Sequence, residues 1–80
     1  MRYEDFNQTT SRNLRMLRRV HGLSQNELAS SLGVSRSTYW AMEQGERPLT
    51  LYQAAACCKI LHIHFSDLCD PDLERRLLTR

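Results

Sequence analysis

An all-α fold of five helices, with a short extra helix at the C-terminal end, is what this 80-residue sequence predicts. Three observations predict it. No stretch alternates apolar and polar residues as a half-buried strand does, whereas apolar residues recur at helical spacing. Two capping boxes, Ser24-Gln25-Asn26-Glu27 and Thr50-Leu51-Tyr52-Gln53, mark helix starts. In each, the hydroxyl accepts the N–H three residues on and the Glu or Gln side chain reaches back. Gly22, Gly33 and Gly45 stand where helical patterns stop.

The first helix begins between Phe6 and Ser11, with Asn7, Thr9, Thr10 and Ser11 all candidate caps. Leu14, Leu17 and Val20 make its apolar stripe, with Arg12, Arg15 and Arg19 outside. His21-Gly22 ends it through a left-handed glycine, and Leu23 folds back on the last turn. The second helix starts from the Ser24 box, runs to about Leu32 and buries Leu28, Ala29 and Leu32. Gly33-Val34-Ser35 is a tight turn: Gly33 takes a positive φ, Val34 plugs the corner and Ser35 caps the third helix. That helix buries Tyr39 and Met42 and ends at Gly45. After the loop Glu46-Arg47-Pro48-Leu49, the fourth helix runs from about Leu51 to Leu61 and buries Leu51, Ala54, Ala55, Cys57, Cys58 and Leu61. A short fifth helix lies near Phe65 to Cys69. Asp70-Pro71 reads as an N-cap followed by Pro at the first helical position, opening a last short helix with Leu73, Leu77 and Leu78.

Size and charge narrow the function classes. The chain reads as one domain, 1–80, with a core over 11–69 and a tail over 70–80. A domain this small buries a modest core, which favours a binding module over an enzyme. No segment approaches the ~20 apolar residues of a membrane span, and MRYEDFNQ lacks the apolar run of a signal peptide. Residues 11–59 carry seven basic and three acidic side chains, net +4, while 1–10 and 60–80 each sum to −1. Positive charge therefore sits on the segment with the two-helix unit. Ten of the eleven basic residues are Arg, the side chain suited to bidentate contact with phosphate and guanine. Cys57, Cys58 and Cys69 form no C-x-x-C and read as free thiols of a reducing compartment, hence a cytoplasmic protein.

The stretch Leu14 to Leu68 resembles the small DNA-binding domains of phage repressor and Cro proteins and their bacterial relatives, the XRE-like helix-turn-helix family. The residues that carry the resemblance are Gly22-Leu23-Ser24-Gln25, Leu28-Ala29, Gly33-Val34-Ser35, and Glu43 with Gly45, at these spacings together. The resemblance implies a compact five-helix domain whose third helix, 36–44, enters the major groove, where the four base pairs present different donor and acceptor patterns. Gln25 matches the family's phosphate-contacting glutamine, at a helix N-terminus that favours an anion. Arg36, Ser37 and Ala41 match base-facing positions. Arg36 suits guanine O6 and N7 or, alternatively, a phosphate. Ser37 reads weakly, and Ala41 offers a methyl to thymine. Thr38, Gln44 and Arg47 are expected phosphate contacts, with capping as a second use for Thr38. Arg18 and Glu43 match a buried ion pair that positions the reading helix.

Departures from the family pattern are informative. Trp40 stands where a small or polar residue is usual, and its neighbours Tyr39 and Met42 take the core positions. It is therefore expected to be exposed, against thymine methyls, the sugar-phosphate edge or a partner protein. Glu46 replaces a common Lys, and Arg47 is placed to offset it. His62 replaces the glycine that closes the fourth helix and requires a left-handed conformation or an altered end. His64 replaces a Ser-type cap.

Cys57, Cys58, His62, His64 and Cys69 are thiolate and imidazole donors suited to zinc or copper(I). Their spacing matches no known site type, and Cys57 and Cys58 fall at core positions, so no metal and no cofactor is expected. Ala56 and Ile60, with Tyr52 and the tail residues Leu73, Leu77 and Leu78, are expected to form a homodimer face, the competing use of Leu73 and Leu77 being the monomer's own core. A dimer places two reading helices about 34 Å apart and demands a near-palindromic site on double-stranded DNA. The expected function is a sequence-specific transcriptional regulator, a repressor or small autoregulator. The alternative is an antitoxin that also binds a toxin. No nucleophile–base set or phosphate loop appears, which argues against an enzyme.

Overall fold

In the computed structural model, which describes residues 2–79, the chain folds into α1 (Tyr3–Val20), α2 (Gln25–Leu32), α3 (Arg36–Glu43), α4 (Leu51–Leu61), α5 (Phe65–Leu68) and α6 (Leu73–Leu78). Met1 and Arg80, the two ends of the expected domain and tail, lie outside the described residues. The described residues hold helices and turns and no strand, the all-α architecture the sequence predicts.

α1 starts earlier than its capping signals suggest. Asn7, Thr9, Thr10 and Ser11 lie inside the helix, not at its cap. Their polar groups serve other purposes: the Thr10 and Ser11 hydroxyls donate back to the Asn7 carbonyl at 2.9 and 2.8 Å, and Thr9, Thr10 and Ser11 are buried. Glu4 and Asp5 in the first turn suit the positive end of the helix dipole. Leu14 and Leu17 face the core as expected, but Val20 is 64% exposed. Arg18 turns inward in that region instead, to meet an acid on α3. The end of α1 closes as the glycine predicts: Gly22 has φ 69, Gly22 N–H reaches Arg19 O at 3.0 Å, and Leu23 N–H reaches Arg18 O at 3.1 Å.

α2 and α4 carry the two capping boxes, both complete. α4 buries Ala54, Cys57 and Leu61 and half-buries Cys58. Two expectations fail on this helix. Leu51 is 83% exposed and Ala55 is exposed, because the helix is buried on the side that carries 54, 57 and 61. Ala56 and Ile60, expected outside the core, pack against it. α4 closes on His62 with φ 55, the left-handed conformation, and Ile63 N–H reaches Cys58 O at 3.0 Å.

The C-terminal helix begins two residues later than the Asp-Pro pair suggests, with Asp72 rather than Asp70 at its cap. Asp70 is occupied elsewhere. Its carboxylate accepts from Asp72 N–H at 2.8 Å and from Arg76 Nε at 2.6 Å. Its carbonyl accepts from the Asn13 amide at 2.7 Å. That amide also reaches Leu68 O at 3.0 Å, so a buried Asn on α1 holds the α5–α6 turn. The core draws on all six helices, through Leu14, Leu28, Tyr39, Cys57, Leu68 and Leu73 among others.

Candidate nucleic-acid interface

α2, its turn and α3 fold locally for local reasons. Gly33 has φ 72, and Val34 N–H bonds Ala29 O at 3.1 Å. Ser35 Oγ accepts Thr38 N–H at 3.1 Å, so α3 starts at Arg36. Tyr39, Met42 and Glu43 face inward. Arg36, Ser37, Trp40 and Gln44 are exposed, and Ala41 is half-buried beside them. At 3.6 residues per turn these five share the outward side of α3. Trp40 is 46% exposed, an indole on a face that otherwise offers polar groups and the Ala41 methyl.

The cap draws in two expected contact residues. Ser35 Oγ lies 3.2 Å from Ser37 Oγ and donates to Thr38 Oγ1 at 2.9 Å. Thr38 is half-buried, and Arg47 is exposed in the loop after α3, next to Glu46.

Behind the outward face, Arg18 Nε meets Glu43 Oε2 at 2.6 Å, Arg18 Nη2 meets Oε1 at 3.3 Å, and Arg18 Nη1 donates to Leu23 O at 2.8 Å. The two side chains are 10% and 0% exposed. Burial pushes the Glu43 carboxyl upward, but the Arg18 hydrogen bond leads a set that holds it below the ordinary range. The same pairing raises Arg18 further. Gln25 joins this cluster: its Nε2 donates to Glu43 Oε1 at 3.2 Å. The side chain expected at a phosphate is thus half-buried and turned partly inward, while its place at the start of α2 leaves the helix N-terminus beside it. Three helices meet at one carboxylate, α1, α2 and α3, and the α1–α2 link joins them through Arg18. Asn7 adds a second tie, donating from Nδ2 to Gly45 O at 2.8 Å. No local sequence signal marks either Asn7 or Gln25 for these roles, because both partners are distant in the chain.

Unneutralised charge gathers near this unit. Among the described residues, the ion pairs are Arg18 with Glu43, Arg75 with Asp72, and Arg76 with Asp67 and Asp70. Arg12, Arg15 and Arg19 on α1, Arg36 on α3 and Arg47 beyond it stand outside those pairs.

The thiol and imidazole groups are dispersed. Cys57 is buried, and burial pushes its thiol up to about 12. Cys58 and Cys69 are half-buried with thiols also raised by burial, and His62 and His64 are exposed. Among the described residues no three or more such groups come together to hold a metal ion. No helix among them is long and apolar enough to cross a membrane.

The residues of the expected dimer face divide by burial. Leu73 is 3% exposed and belongs to the protomer's own core, while Ala56, Ile60 and Leu77 pack against that core and stay half-buried. Tyr52 and Leu78 stay exposed, at 75% and 77%. A different apolar surface is open: Tyr3, Phe6, Leu49, Leu51 and Phe65 line one groove where the start of α1, the α3–α4 loop and the starts of α4 and α5 meet.

Comparison with known proteins agrees with this geometry. Residues 11–65 match the helix-turn-helix domain family. An uncharacterized HTH-type transcriptional regulator of Methanocaldococcus jannaschii is 36% identical over 55 residues, covering 69% of this chain and 83% of the relative. Among solved structures, the restriction-modification controller protein C.AhdI from Aeromonas hydrophila superposes with TM-score 0.72 at 33% identity, covering 82% of this chain and 98% of the other. A hypothetical transcription factor, NHTF, from Neisseria gives TM-score 0.80 at 28% identity, covering 95% and 86%. The clp gene regulator ClgR from Corynebacterium glutamicum shares the fold, with TM-score 0.78 at 22% identity and coverage of 92% and 79%.

Proposed function

The chain belongs to the helix-turn-helix domain family of DNA-binding transcriptional regulators, and from that premise we propose that it reads a near-palindromic operator as a homodimer. α3 is the reading helix. The observation that carries this is the outward side of α3: Arg36, Ser37, Trp40 and Gln44 are exposed while Tyr39, Met42 and Glu43 anchor the opposite side. Arg36 contacts guanine, Ala41 and Trp40 present apolar surface to thymine methyls, and Ser37 supplies a weak polar contact. Gln25, Thr38, Gln44 and Arg47 contact phosphates and set the register. The Arg18–Glu43 pair fixes α3 against α1. Three or four base-facing side chains with one strong hydrogen-bonding group make a thin code, so spacing and DNA shape supply much of the specificity.

A dimer places each reading helix about 17 Å from the two-fold axis, half of the ~34 Å helical repeat. The protomer measures 32 × 28 × 18 Å, so that distance is about half of its longer dimensions. The open groove includes Pro48 and Leu49, in the loop directly after α3. Its apolar lining and its place beside the end of α3 support a dimer axis there. The likeness to a controller protein favours a small autoregulator. The exposed Trp40 is what an antitoxin reading would use for its toxin, and co-purification with a toxin encoded beside it tests that reading.

Selection of bound sequences from random DNA, repeated at two salt concentrations, tests the proposal. A two-fold symmetric site with salt-dependent affinity supports it. No enrichment, with affinity lost at moderate salt, overturns it.

A further inference from the structure

We infer that the DNA surface extends beyond the two-helix unit onto α1, where Arg15 takes a backbone phosphate in a cleft shared with Gln44. The inference rests on the major-groove reading of α3 and adds a contact to it.

Gln8, Ser11, Arg12 and Arg15 of α1 line one polar cleft with Gln44 and Gly45 at the end of α3, the exposed Arg12 also reaching toward Pro71 O at 3.5 Å. The cleft is held on both sides. Asn7 is bonded to Gly45 O at 2.8 Å toward its N-terminal end, and Arg18 to Glu43 at 2.6 Å toward its C-terminal end. Its dimensions are therefore set before DNA arrives. Glu43 is the acid that lines it, and its oxygens are occupied by Arg18 and Gln25. Arg15 is half-buried and makes no ion pair among the described residues. A guanidinium held this way in a polar cleft is arranged for an external anion.

Position supplies the anion. A helix ~10–12 Å across fills a major groove ~12 Å wide, so side chains flanking the helix meet the phosphates of the groove walls. Gln44 belongs to the outward side of α3 and lines the same cleft as Arg15, so a strand that passes Gln44 passes Arg15. Arg19 is the internal comparison. It sits on the same basic stripe of α1 and shares a neighbouring hollow with Arg12, Arg15, Met16, Val20 and Glu74, but it does not line the cleft with Gln44.

Fluorescence anisotropy with the selected operator, titrated against NaCl, tests the inference on the full chain. Each phosphate contact contributes about 0.9 to the slope of log affinity against log salt. Arg15→Ala is expected to reduce that slope by about 0.9, so that its deficit relative to wild type shrinks about 3.5-fold over a fourfold rise in salt. The base preferences should stay unchanged, and Arg19→Ala should keep the wild-type slope. Arg15→Gln, which preserves most of the packing, should reproduce the slope change if Arg15→Ala folds poorly. Wild-type binding with an unaltered slope in both Arg15 variants overturns the inference alone, as does an equal loss in Arg15→Ala and Arg19→Ala. Absence of any wild-type binding overturns the major-groove reading and this inference with it.

Discussion

The Asn7 side-chain amide donates to the Gly45 carbonyl at 2.8 Å, tying the second turn of α1 to the residue that closes α3. Gly45 has φ 77, and a Cβ there would stand 3.6 Å from Ser11 Oγ, so α1 and the end of α3 are in close register. Asn7→Ala removes the donor and leaves the carbonyl to solvent. The expected cost is about 1 kcal/mol, a fall in Tm of about 4–8 °C for a domain this size. Thermal unfolding by circular dichroism measures it; an unchanged Tm would show that the bond carries no net stability.

Glu43 governs part of the acid response. Its folded-state pKa lies below the ordinary value, so its contribution is fully present above about pH 4.5 and is lost as pH falls through the folded value. Asp67, held down chiefly by Arg76, and Asp70, held down chiefly by the Asp72 N–H, act in the same direction. Stability is therefore expected to be flat from pH 7 to about 5 and to fall below about 4. At neutral pH, Glu43→Ala strands the Arg18 charge and costs about 3–5 kcal/mol, whereas Arg18→Met with Glu43→Leu recovers most of the loss. Denaturant melts of the three proteins across pH decide this. A double variant no better than Glu43→Ala would mean the pair itself, not the stranded charge, sets the cost.

His62 is the non-glycine residue with positive φ among the described residues, at 55°. A left-handed L-residue costs about 1–2 kcal/mol, which glycine avoids while losing more chain entropy on folding. The strain is the larger effect, so His62→Gly is expected to raise Tm by a few degrees. A lower Tm would mean that the imidazole makes up the difference through its surroundings.

Arg36 tests the code. Arg36→Ala is expected to relax preference at one base position per half-site, by about 1–3 kcal/mol, with other positions unaffected. Binding arrays covering each operator position read this directly. A uniform loss across sequences would assign Arg36 to phosphate instead.

Phe65, half exposed in the open groove, tests the dimer. Phe65→Glu places a charge on the proposed interface without disturbing the core, so it should shift the protein to monomer in sedimentation while the fold persists by circular dichroism. Cooperative two-site binding by a variant that still dimerises would move the interface elsewhere.

Much of the fold was legible because its signals are local. A capping box needs four residues, a left-handed closure needs a glycine, and Tyr39 and Met42 follow helical spacing from the start of α3. Those signals determined α2, α3 and α4, and with them the outward side that offers Arg36, Ser37, Trp40 and Ala41. The polar run from Asn7 to Ser11 is ambiguous for the same reason: side chains that cap a helix also pack inside one, and which use prevails depends on what lies across from them.

By itself, then, the sequence determined the helices, the turn and the residues that can face a groove, since those follow from the chain within a turn or two of each position. Only the tertiary structure decided what faces what. It turned Gln25 toward Glu43, joined Asn7 to Gly45, buried Leu73 with Leu77 packed half-buried beside the core, and left Tyr3, Leu51 and Phe65 open together. Each of those outcomes depends on how separate helices divide a small core among them, and a core of this size has room for only some of the apolar faces that helical periodicity offers.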